Sequence, residues 1–122
     1  MRIALALFLA AHGLAHFVSF IEAWRLIPSG FPYKTTILAG RVDLGDTGTR
    51  IVGVLWLFLV LAFGATAIGA IVNAAWWVPV ALGSAVASLL LSSTEWPDAR
   101  VGVMIDLGIL GILPLAHALR VV

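Results

Sequence analysis

Residues 51–72 read IVGVLWLFLVLAFGATAIGAIV, an apolar run without a single charged side chain. About 20 such residues in a helix cross the hydrocarbon of a bilayer. Within the run, LWLFLVLAF (residues 55–63) places large apolar groups side by side. A strand of a membrane barrel would instead alternate lipid-facing with lumen-facing residues. A span isolated in lipid satisfies its backbone polar groups only internally, so this segment is predicted to be a transmembrane helix.

Three further runs, 3–24, 75–91 and 101–119, have the same character. The chain of 122 residues is 62% hydrophobic and 11% charged, with a mean hydropathy of +1.13. Soluble domains carry about 25% charged residues, and a soluble chain this short cannot bury so much apolar surface. The prediction is an all-α membrane protein. It is a single domain over residues 1–122, a bundle of four transmembrane helices with a long loop between helices 1 and 2. A net charge of +1 gives no surface for nucleic acid. Cysteine is absent, which removes disulfides, thiolate chemistry and cysteine metal sites. Met1-Arg2 followed by IALALFLAA is like the start of a secretory signal, but the apolar stretch runs on to Trp24 and is expected to stay as a span.

The connections differ. Spans 2 and 3 meet around Asn73 as a tight antiparallel pair, and spans 3 and 4 are joined by SSTEWPDAR. The first connection, residues 26–50, holds Pro28, Gly30, Pro32, Gly40, Gly45 and Gly48. Connections of that length are usually functional or disordered, and Phe31, Tyr33, Ile37 and Leu38 suggest that this one folds back onto the bundle. Trp76 and Trp77 mark one membrane interface, and Trp24, Tyr33 and Trp96 the other. Trp56 lies deeper, as core or as pocket wall. In span 3, Gly83 with Ala87 is read as a packing seam beside a stripe of Ser84, Ser88 and Ser92. By that reading Gly83→Leu breaks the fold.

Four spans put both termini and the Asn73 turn on one face of the membrane and the two longer loops on the other. Most ionisable residues fall in the loop-side half. Steps of about 100° along span 1 put His12, His16 and Ser19 within about 60° of one another, with Glu22 to one side. Arg50 opens span 2, Ser88, Ser92 and Glu95 end span 3, and Asp106 lies about 8 Å inside span 4. An ionisable group at mid-bilayer costs at least about 2.5–3.5 kcal/mol and normally faces the bundle interior or a watery cavity. Leucine at 106 is expected to be tolerated, since a buried charge exchanged for an apolar group is often neutral unless a partner is left unpaired. His-x₃-His is a common pair of helical metal ligands, but there is no HExxH and no second histidine cluster at matching depth, so no metal is assigned. RVDLGDTGTR (41–50) lacks the alternating acids and final Glu of an EF-hand. Asp46 or Thr47 is expected to cap helix 2.

The run GLAHFVSFIEAWRLIPSGFP resembles the first helix and following loop of DoxX-like small four-helix membrane proteins, with Gly13, His16, Phe17, Ile27, Pro28 and Pro32 at the matching positions. It covers about the first quarter of the chain, and His12 and the remainder carry no such match. The resemblance implies the four-span plan. Some of those relatives are associated with quinone-linked oxidation, so it also implies a quinone-like ligand.

Two functional readings fit these residues. In the first, a polar cavity open to the loop face binds a small or lipid-like, for instance quinone-like, molecule. His16, Asp106 and His12 would then be the catalytic acid–base groups, and Ser19, Glu22, Arg50, Trp56, Ser88, Ser92 and Glu95 would contact the ligand. Such a protein would be an oxidoreductase component, an isomerase or a hydrolase of an apolar substrate. In the second, the chain is a non-catalytic membrane subunit whose polar residues only hold helices together. The residues name no cofactor. The expected partners are the lipid bilayer, a lipophilic small molecule and further copies of the chain or a larger membrane complex. The expected location is the plasma (inner) membrane. Arg25, Lys34, Arg41, Arg50 and Arg100 on the loop face outnumber Arg2 and Arg120 opposite, which places loops 1 and 3 in the cytoplasm.

Overall fold

A computed structural model describes residues 1–28 and 33–122. Gly30, Phe31 and Pro32, singled out above, lie outside the described residues. The elements run α1 (Arg2–Trp24), β1 (Thr36–Ile37), β2 (Val42–Asp43), α2 (Gly45–Ile71), α3 (Trp77–Thr94) and α4 (Arg100–Ala118). Among the described residues there are four helices, each long and apolar enough to cross a membrane.

The long loop expected between helices 1 and 2 is not what forms. The two helices lie only 20 residues apart, and part of that connection is an antiparallel hairpin with Thr36 opposite Asp43 and Ile37 opposite Val42. Helix α1 stops at Arg25, whose φ of 51° is left-handed, and the backbone N–H groups of Arg25 and Leu26 close on Glu22 and Ile21. Helix α2 starts earlier than expected because Gly45 and Gly48, read as breakers, belong to its first turns. Gly45 takes a φ of +66° there, and its N–H donates to the Asp43 side chain 2.9 Å away. The start of the helix is therefore tied by Asp43, not by Asp46 or Thr47. At about 40 Å, α2 exceeds the roughly 30 Å hydrocarbon, and its polar first turns, GDTGTR (45–50), lie at the loop end. The hairpin docks where Leu38 N–H donates to the Thr94 carbonyl, 2.6 Å away at the end of α3.

Close approach concentrates between α1 and α2. A Cβ on Gly13 would lie 2.7 Å from Phe63 Cβ, and one on Gly53 would lie 2.8 Å from Ala23 Cβ. The α2–α3 turn, with Asn73 at a φ of 53°, seats Gly69 against Trp76 and Trp77. Helix α4 packs on α3, where Gly102 meets Ser92, and turns inward the stripe Asp106, Ile109 and Leu113. The apolar core gathers Leu9, Trp56, Leu59, Phe63, Trp77 and Ala81 among others. Outside it, Phe58, Leu61, Leu90, Met104 and Ile112 present the exposed apolar surface that lipid covers.

The seam proposed at Gly83 and Ala87 is not a helix contact. Nothing stands within 4 Å of a Cβ placed on Gly83, and both residues line an open apolar groove between α2 and α3. Small residues at helical spacing show that close packing is possible, not where it occurs. Gly13→Ala should therefore lower the thermal midpoint in detergent by several degrees, at an overpacking cost of about 1–3 kcal/mol. Gly83→Leu should leave the midpoint nearly unchanged. Equal loss in both variants would contradict this packing.

Candidate functional site

Helix α1 turns His12 and His16 inward one turn apart, both about 95% buried. His12 Nε2 lies 2.8 Å from Asp106 Oδ1 of α4. The Ser88 hydroxyl of α3 donates to Asp106 Oδ2 at 2.6 Å and sits 2.9 Å from His16 Nε2. A hydroxyl has one proton, and here it goes to the carboxylate. Ser88 must then accept from His16, which assigns the Nε2–H form to His16 from the network. His12 likewise presents Nε2–H to the carboxylate. Each oxygen of Asp106 thus holds one partner, and Asp106 and Ser88 have no exposed surface.

Of the two histidines it is His12 that meets the carboxylate; a single helical turn of about 5.4 Å is too fine for residue counting to resolve. Asp106 also has two partners. Leucine at 106 would strand both the His12 N–H and the Ser88 hydroxyl, so the expected tolerance does not hold.

Aromatic rings pack the cluster closed. His12 lies 4.7 Å from His16 and 5.0 Å from Phe63, and His16 lies 4.8 Å from Trp56, centroid to centroid. Among the described residues, His12 and His16 line neither the α2–α3 groove nor the loop-side space above them. Trp56, only 2% exposed, also belongs to the wall of a loop-side cavity of about 710 Å³. The indole therefore separates the buried cluster from that space.

The cavity is walled by Ser19 and Glu22 of α1, Thr49, Val52 and Trp56 of α2, Thr94 at the end of α3, and Glu95 to Ala99 after it. Tyr33, Lys34 and the hairpin residues Thr36 and Ile37 complete it. Glu95 is half-buried here. Burial pushes its carboxyl above the usual range, and Glu22 and Asp98 push the same way. The Trp56 indole N–H faces this carboxyl and opposes that shift, yet it closes no hydrogen bond of ordinary length. At the mouth Lys34 pairs with Asp98, which raises the pKa of Lys34. Tyr33 donates to Asp46 at 2.7 Å and carries the Arg25 guanidinium 4.4 Å above its ring.

The structure thus divides the residues chosen from sequence. Ser19, Glu22, Trp56 and Glu95 meet at the cavity. His12, His16, Ser88 and Asp106 meet beneath it. Arg50 joins neither group: it is exposed, lies over Trp24 at 5.6 Å and offers its carbonyl to the Trp24 indole. Ser92 is buried against Gly102 with its hydroxyl unpartnered. Thr49 and the hairpin walls were missed, because two-residue strands carry no readable periodicity.

What the fold and site define is a multipass helical membrane protein with a sealed polar core beneath a loop-side cavity. No family model, curated protein or solved structure matches the chain.

Proposed function

We propose that the protein holds a small or lipid-like molecule in the loop-side cavity. The carrying observation is the cavity itself. At about 710 Å³ it falls within the range of ligand sites, about 300–1,000 Å³, which combine apolar walls with a few polar groups. Val18, Val52 and Trp56 supply the former, and Ser19, Glu22 and Glu95 the latter. The acid–base groups that face such a ligand are Glu22 and Glu95. His12, His16 and Asp106 do not reach it and serve to hold the floor in place. The DoxX-like character of helix 1 is consistent with a lipophilic occupant such as a quinone.

A second reading, a non-catalytic subunit, is favoured by one observation: His12, His16, Ser88 and Asp106 satisfy one another. One experiment separates the two. Protein purified in mild detergent is examined by native mass spectrometry, wild type beside Ser19→Trp, which fills the cavity. A small-molecule adduct present in wild type and lost in the variant is the expected result. No adduct, or the same adduct in both, favours the subunit reading.

The membrane is taken to be the plasma (inner) membrane, and the loop face is assigned to the cytoplasm on the excess of Lys and Arg beside the loop-face ends of the spans. Because the chain has no cysteine, Thr47→Cys and Ala75→Cys report the two faces cleanly. In intact cells an impermeant maleimide should label Ala75→Cys and spare Thr47→Cys. The opposite pattern reverses the orientation.

A further inference from the structure

Resting on the cavity as a ligand site, we propose that its occupant carries a protonated amine on an apolar body, the ammonium lying between Glu22 and Glu95. Two features converge on this class. The first is charge. Among the described residues the cavity wall sets Glu22, Glu95 and Asp98 against Lys34 alone, and Lys34 is committed to Asp98 at the mouth. The inner part of the cavity is left with two half-buried carboxylates and no cation. Desolvated like charges in one space repel, and a bound cation relieves both.

The second feature is Trp56. Its indole N–H is buried, closes no hydrogen bond of ordinary length and faces Glu95 across the cavity wall. A buried donor left unsatisfied is destabilising. An ammonium beside Glu95 fixes that carboxyl in its ionised form, a stronger acceptor for the indole. The carboxylate then takes Trp56 on one oxygen and the ligand on the other. Val18 and Val52 suit the apolar body.

The pH dependence follows from the groups facing Glu95, namely Glu22, Asp98, Lys34 and the Trp56 N–H. Burial keeps Glu95 protonated to a higher pH than an ordinary glutamate, so at low pH a bound ammonium must displace that proton. Affinity for the amine rises as pH climbs through the Glu95 titration and levels off above it, until the amine itself loses its proton.

A matched series tests the class: 1-aminoadamantane, 1-adamantanol and 1-adamantanecarboxylate share one body and differ in charge. Each is titrated into the protein in an uncharged maltoside detergent, with the thermal midpoint as readout. The amine should stabilise saturably at pH 7 and the other two should not. Glu95→Gln should weaken the amine at least about tenfold while its own ligand-free midpoint shows that it is folded. If the alcohol or the carboxylate stabilises as well as the amine, the cavity binds ligands but not by this charge, and the inference fails alone. An amine effect unchanged in Glu95→Gln also overturns it. If none of the three stabilises, both the inference and the ligand-site reading fall.

Discussion

The carboxylate of Asp106 ties the two halves of the bundle together by hydrogen bonds. Helices α1 and α2 form one pair, held by backbone approach at Gly13 and Gly53. Helices α3 and α4 form another, with Gly102 against Ser92. In water, burial of apolar faces would drive the pairs together. In lipid that drive is missing, because acyl chains are as apolar as the side chains they replace. What remains is van der Waals contact and hydrogen bonding across helices. His12 of α1 and Ser88 of α3 both converge on Asp106 of α4, and His16 joins through Ser88. Withdrawing any member leaves the others with unpaired polar groups in a medium that cannot solvate them.

The position of this junction explains the cavity. The cluster draws α1, α3 and α4 together at one level, and Phe63 and Trp56 fill the space around the imidazoles. Toward the loop face no such network continues. The walls there come from Ser19, Glu22 and Thr49, and the opening is covered by the hairpin that Leu38 ties to Thr94. Trp56 belongs to both regions. Its ring rests on His16 below, and its N–H faces Glu95 above. The floor of a ligand site and the wall of a structural cluster are thus one side chain, so loosening the cluster would also move the cavity floor.

Much of this architecture was legible in composition, since four apolar runs in so short a chain leave a helical membrane bundle as the one economical solution. The inward face of α1 was legible too, because two imidazoles one turn apart in lipid must find partners. Less was legible where several residues satisfy the same pattern. Ser84, Ser88 and Ser92 share a helical stripe, yet Ser88 alone meets the acid, while Ser84 bonds back to the Val80 carbonyl. Gly13 and Gly83 are equally small, and only the fold says which one another helix approaches. The hairpin could not be read because its strands are too short for alternation. The start of α2 was misplaced because its glycines are ordinary breakers until Asp43 ties the first turn.

A double-mutant cycle on His12→Phe and Asp106→Leu, followed by unfolding in detergent, measures the joint between the helix pairs directly. Interhelical hydrogen bonds in membranes average about 0.6 kcal/mol and reach about 1.7. A contact on which the bundle depends should lie at the upper end, so a coupling above about 1 kcal/mol is predicted. Additivity within about 0.3–0.5 kcal/mol, the behaviour of independent sites, would contradict the account.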